Sequence, residues 1–225
     1  MKFWLEHGIA IADPTPNNIG VTCPFCLRAG VPMTREHVFA RWLVQKVRGS
    51  RLVPSRANAA EGADTRISRV FATVCADCNA GWMSGLEVSF RRIVFARPRA
   101  GLLPAPDRAT LSRWFTKTAV LLADADAIEF LSPTQRAQLV GGMPEEIEVF
   151  IARRRRPSQH LDFALDVVGA GTSARRVRLA AVLVDDLVAH VARREVLASR
   201  HGTRLWPLRT HALRWETMPV ISGLA

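Results

Sequence analysis

The chain has 225 residues, enough for one large domain or two small ones, and its 48% hydrophobic and 23% charged residues exclude a disordered or fibrous protein. No apolar run approaches the roughly 18 residues of a membrane-spanning helix. The start, Met1 to Leu5 followed by Glu6 and His7, lacks the apolar core and cleavage site of a secretory signal. A cytoplasmic location with no membrane partner is therefore expected, and in that reducing compartment the four cysteines need a role other than disulfides. Thirty-one basic residues against twenty acidic ones give a net charge of +11, and apart from Lys2, Lys46 and Lys117 the basic residues are all arginines. Planar guanidinium forks match phosphate oxygens, so the excess points to a nucleic-acid partner, with DNA the first expectation.

Taken in order, Val38 to Val47 reads as a short helix with Val38, Phe39, Trp42 and Leu43 on one side. Arg48 to Asp64 is polar, basic and without period, as in a surface loop. Arg66 to Val74 alternates as a half-buried strand does. From Asn79 onward Trp82, Leu86, Phe90 and Ile93 fall at helical spacing, although Gly81 and Gly85 each weaken a helix by up to about 1 kcal/mol. Arg97 to Pro106 holds three prolines and a glycine and is expected to interrupt regular structure. It divides the chain into a cysteine-bearing part (1–96), a linker (97–106) and an α+β part (107–225). In the last, Asp107 is the expected N-cap of a helix carrying Leu111, Trp114, Phe115, Thr118, Leu121 and Leu122 on one face. Ser132-Pro133 starts a second helix, reaching about Val140. Strands are then expected over Ile147–Ile151, Leu161–Val168, Val177–Val184 and Leu187–Val191, with Asp185-Asp186 as a hairpin turn. Trp206 and Trp215 are expected to pack, as are Trp42 and Trp82, for which base stacking is the lesser alternative.

The strongest chemical signal is Cys23-Pro24-Phe25-Cys26 together with Cys75-Ala76-Asp77-Cys78. Each Cys-x-x-Cys pair can present two thiolates to one side of a tetrahedral ion. The chain between the pairs is long, but loop-closure entropy grows only logarithmically with length. One pair alone would also suit a redox motif. Two pairs with no cysteine to spare read as a structural zinc site with no open position for chemistry.

Between the pairs stands Thr34-Arg35-Glu36-His37-Val38-Phe39, and Asn79 follows the last cysteine directly. Cys-x-x-Cys, then Glu-His-Val, then Cys-x-x-Cys-Asn resembles the HNH endonucleases, the His-Me finger nucleases with a ββα-metal site. Glu36 to Leu43 and Cys78 to Glu87 look like a bacterial and phage subfamily of these, and the resemblance covers about residues 20–95. It implies an α+β fold with a zinc-stapled ββα-metal domain and a metal-dependent endonuclease acting on DNA. His37 would be the general base, and Glu36 and Asn79 the ligands of a catalytic Mg²⁺ or Mn²⁺ distinct from the zinc. An imidazole with pKa near 6.5 suits proton abstraction at neutral pH, and hard oxygen ligands suit such a cation. On a strand, Glu36 and His37 would project to opposite faces. The chain has Ala40 where many family members have proline, and no asparagine lies between Arg69 and Val74, which leaves Ser68 or a backbone carbonyl to orient His37.

Arg35 and Arg41, and in the polar loop Arg48, Arg51 and Arg56, are the expected phosphate contacts; for the loop arginines a solvated surface is an equal alternative. The run Arg153 to Arg156 reads first as a charged strand edge. His160, His190, His201 and His211 have no partners at ligand spacing. The alternative to an enzyme is a non-catalytic, zinc-stabilised nucleic-acid-binding protein; a zinc-stapled protein-interaction domain is a third.

Overall fold

A computed structural model describes residues 21–46, 70–95, 99–155, 161–168, 176–194, 202–208 and 212–221. The cysteine-bearing part contributes an antiparallel pair, β1 (Met33–His37) and β2 (Phe71–Cys75), in the register Met33↔Cys75 to His37↔Phe71. A short helix, α1 (Arg41–Lys46), follows β1. After β2 come one helical turn, α2 (Ala76–Cys78), a wide turn Asn79–Met83, and α3 (Ser84–Phe95). The helical period seen from Asn79 is thus real from Ser84 on. Before it the backbone kinks at Gly81 (φ −87°, ψ −110°).

The rest of the chain is a long helix laid against a curled sheet. β3 (Leu102–Leu103) leads into α4 (Ala105–Ala125) and α5 (Pro133–Gly141). The main strands are β4 (Ile147–Arg154), β5 (Leu161–Val168), β6 (Arg176–Val184) and β7 (Leu187–Arg193). β8 (Thr203–Trp206), β9 (Leu213–Arg214) and β10 (Val220–Ile221) complete the set. β4 pairs β7 along one side; its other side is shared by β8, antiparallel at Val149–Ile151, and β10, parallel at Arg153–Arg154. β6 lies between β7 and β5, so among the described residues β5 is one edge of the sheet and β8 and β10 are the other. β3 pairs with β9 apart from this sheet.

Two turn signals in the sequence form as expected. The Ser132 hydroxyl accepts from Gln135 N–H (3.3 Å) while Ser132 N–H donates to the Gln135 side chain (3.1 Å), a reciprocal cap with Pro133 at the first helical position. Asp185, at φ 60°, turns β6 into β7. Arg99 spans this turn, bonding Asp186 and, at 2.6 Å, Asp185, and Arg153 adds a fork to Asp186 (2.9 and 3.0 Å). Arg153 therefore spends its charge inside the fold.

The start of α4 corrects the sequence reading. Its N-cap is Pro104, not Asp107, so the segment expected to interrupt structure holds both β3 and the first residues of the helix. Proline is tolerated in a first helical turn, whose N–H groups lack intrahelical acceptors anyway. Asp107 sits one residue further into that turn, where a negative charge favours the helix dipole, and it approaches Arg92 at 3.7 Å. The first helix is likewise shorter than its pattern: Val38 and Phe39 are buried but precede α1.

α4 is buried nearly all round, with the sheet on one side and α3 and β2 on the other, so it is a core helix rather than an amphipathic surface one. Two of its buried hydroxyls bond back to their own helix: Ser112 donates to Arg108 C=O (2.8 Å) and Thr118 to Trp114 C=O (2.9 Å). One hydrophobic cluster runs from Cys23 through α3 and α4 to Met218. At its centre Phe90 stacks on Trp114 with centroids 3.7 Å apart, and Phe115 meets both rings edge-on. Such aromatic pairs add about 0.5–1.5 kcal/mol beyond their buried area.

A buried ion pair crosses the same α3–α4 interface. Lys117 Nζ, wholly buried, lies 2.6 Å from Glu87 Oε1, which also accepts from the Trp114 indole N–H at 2.7 Å. Removing one partner strands the other charge, so Lys117→Met should destabilise the protein by about 3–5 kcal/mol in chemical denaturation. The double change Lys117→Met with Glu87→Leu should recover most of that loss, since it removes both charges together.

Candidate metal centre

The first knuckle is a tight turn in which Cys23 N–H donates to Arg28 C=O (3.0 Å) and Leu27 N–H to Cys23 C=O (3.0 Å). Leu27 takes a left-handed conformation (φ 58°), which for a non-glycine residue costs of order 1–3 kcal/mol and persists only where the surroundings enforce it. The second knuckle starts where β2 ends. Cys75 caps α2, its sulfur accepting from Cys78 N–H (3.4 Å), and Cys75 N–H points to Cys23 Sγ at 3.5 Å. Phe25 from the first knuckle and Trp82 after the second meet edge to face at 5.2 Å.

These contacts draw all four sulfurs within 4.8 Å of one another, with Cys26 and Cys75 at 3.6 Å. A tetrahedral Zn²⁺ with bonds near 2.3 Å would set its sulfurs about 3.8 Å apart, so the donor set fits such an ion in number, softness and spacing. All four are free thiols. Burial pushes the Cys75 and Cys78 thiols up, an environment that favours thiolates only when a cation is present. Burial acts upward on Cys26 too, but bonds from Arg28 outweigh it and bring that thiol down to about 6. Arg28 joins the knuckles at the surface, its Nε 3.4 Å from Cys26 Sγ and its other nitrogen 2.6 Å from Asp77 Oδ2. Among the described residues no other group of three or more histidine, cysteine or acidic side chains is close enough to hold an ion.

β1 sorts the remaining expected residues onto two faces. Directly paired residues of antiparallel strands share a face. Thr34 and Glu36 therefore lie with the buried Val74 and Ala72, turned toward the core, while Arg35 and His37 lie with Thr73 and Phe71, turned outward. On the inner face Asn79 is held by its amide nitrogen, 3.0 Å from Thr34 Oγ1, and its side chain also bonds Glu36. Burial pushes the Glu36 carboxyl up to about 7, against the downward pull of Lys117; Glu87 raises it further and the Asn79 bond lowers it. Glu87 Oε2 is buried there with no hydrogen-bond partner. On the outer face the His37 ring lies 4.4 Å from that of Phe71, and burial, Arg41 and Arg35 all lower its affinity for a proton. The structure thus brings Glu36 and Asn79 together and sets His37 on the opposite side of the strand, just before the chain bends at Val38 and Phe39.

Of the expected phosphate contacts, Arg35 and Arg41 are exposed beside His37; Arg48, Arg51 and Arg56, like Ser68, fall outside the described residues. His190 is buried in β7, and the other three unassigned histidines, His160, His201 and His211, are also outside the described residues. Sequence reasoning missed Arg28, Glu87 and Lys117. The available signal was Lys117 itself, one of three lysines and set in the apolar stretch of α4. Compared with models of protein families, with curated proteins and with solved structures, the chain matches none. No described helix is long and apolar enough to cross a membrane.

Two outcomes follow from this geometry. The purified protein should carry one tetrahedral metal per chain by elemental analysis, and stripping it with a chelator should lower the thermal unfolding midpoint, with Zn²⁺ restoring it. Trp82 Nε1 is buried beside Cys78 without a hydrogen bond of ordinary geometry, and is poised to donate once that sulfur is a metal-bound thiolate. Trp82→Phe keeps a ring and deletes the donor. It should weaken Zn²⁺ binding by about 10–100-fold in chelator competition, the usual cost of losing a bond to a metal ligand.

Proposed function

We propose that the chain is a metal-dependent endonuclease of the HNH type, its ββα-metal core stapled by zinc, and that it hydrolyses phosphodiester bonds in DNA. The observation that carries this reading is the meeting of Glu36 with Asn79, residues far apart in sequence that β1 and the second knuckle bring into contact. His37 is suited to take a proton from water: burial, Arg41 and Arg35 disfavour its charged form. Arg35 and Arg41 stand beside it to offset charge on the phosphate. Glu36 and Asn79 would hold a Mg²⁺ or Mn²⁺, with the unpartnered Glu87 Oε2 nearby. Few protein oxygens are needed, because such ions keep several waters. When bound, the ion would supply charge neutralisation at the phosphate and the departing oxygen.

Two observations favour a second reading, a zinc-stabilised nucleic-acid-binding protein without catalysis. Glu36 and Asn79 face the core while His37 faces outward from the same strand, so a phosphate beside the imidazole does not meet an ion between the other two. The Lys117 ammonium lies within electrostatic reach of Glu36 and is anchored on Glu87, which places a fixed positive charge where a divalent cation would have to compete.

Plasmid nicking in Mg²⁺ or Mn²⁺ decides between them. On the nuclease reading the wild type nicks, and His37→Ala slows it by about 10²–10⁴-fold, the range for losing a general base, while DNA binding persists. Equal failure of both proteins to nick, with both still binding, selects the second reading.

A further inference from the structure

Among the described residues, the outward side of the cysteine-bearing part carries a run of cations without carboxylate partners. Arg35 on β1, Arg41 and Lys46 on α1, and Arg91 on α3 are all exposed. None of the four pairs with a carboxylate among the described residues. The carboxylates in 21–46 and 70–95 are three: Glu36 faces the core, Glu87 is held by Lys117, and Asp77 is held by Arg28.

Three of these cations rest instead on aromatic rings: Arg35 lies 3.8 Å over Phe71, Arg91 5.3 Å over Trp42, and Lys46 5.2 Å over Phe95. Cation–π contacts of this kind hold long side chains in place without neutralising them. They also lower the entropy lost when an anion is bound. Trp42 is itself pinned, with the edge of Phe95 against it at 5.6 Å as well as Arg91 over its ring. Arg91 thus covers one face of the indole, and the charge it carries lies at the surface.

We propose that the outer face of β1, α1 and α3 is where a DNA backbone lies, held at its phosphates by Arg35, Arg41, Lys46 and Arg91 rather than read at its bases. This rests on the nucleic-acid reading above and adds to it the surface and the mode of contact. The two helices extend the footprint away from His37, so the backbone runs from the imidazole across α1 to α3.

The test is fluorescence anisotropy of the full chain with a labelled 20-base-pair duplex DNA over a range of salt concentrations. Each lost phosphate contact lowers the slope of log K against log[salt] by about 0.9. Lys46→Gln with Arg91→Gln should therefore reduce that slope by about 2 and weaken binding alike for duplexes of unrelated sequence. Arg176→Gln with Arg178→Gln removes the same net charge from β6 and should leave the slope unchanged. Binding by the wild type with an unaltered slope in the first variant, or an equal loss in both variants, overturns the proposed surface and leaves the nucleic-acid reading standing. No salt-dependent binding by the wild type overturns both. Unchanged zinc content and circular dichroism in the variants exclude misfolding as the cause of a loss.

Discussion

Four sulfurs gathered within 4.8 Å tie together the described elements of the cysteine-bearing part. Thiols at that separation have little to gain from one another, and burial raises the proton affinity of two of them. A soft divalent ion would reverse the balance, favouring four thiolates and offsetting half of their negative charge. Because Cys75 ends β2 and Cys78 precedes the wide turn into α3, the centre fixes the direction of both at once. Asn79 is placed by the same constraint: the residue after the last ligand has little freedom to go anywhere but beside Thr34 and Glu36.

The centre is not closed on itself. Trp82 reaches from it toward Arg113, whose guanidinium lies 4.8 Å over the indole ring and bonds the last carbonyls of α5, Leu139 and Val140. Glu87 and Lys117 join α3 to α4 one helical turn from the Phe90–Trp114 stack. A polar link and an apolar one therefore run side by side through the same interface, the apolar one supplying most of the stabilisation and the ion pair restricting how the helices register. Glu36 owes its inward environment to this interface, because the ammonium it faces comes from α4.

Much of this was legible from local signals. The paired Cys-x-x-Cys motifs, Ser132-Pro133 and Asp185-Asp186 each specify geometry within a few residues, and the apolar strands β4 to β7 read clearly because both faces of most of them are covered. Alternation along β1 also predicted that Glu36 and His37 would part. Which of the two would face inward was not legible, since that depends on where α4 lies. The Glu87–Lys117 pair escaped for the same reason: it joins residues 30 apart that only tertiary packing makes neighbours. The start of α4 was misjudged because proline was read as an interruption, when in a first helical turn it is compatible with the backbone.

The β5 edge of the sheet has a consequence of its own. β5 carries Asp162 and Asp166 along its length, the latter gripped by Arg178 from β6 at 2.6 and 2.8 Å, and Val168 is exposed near its end. Among the described residues β5 is paired on one side only, and charged side chains along such a strand disfavour addition of a further strand from another molecule. Asp162 and Asp166 thus set charge along an edge where growth of the sheet from a second molecule would otherwise begin.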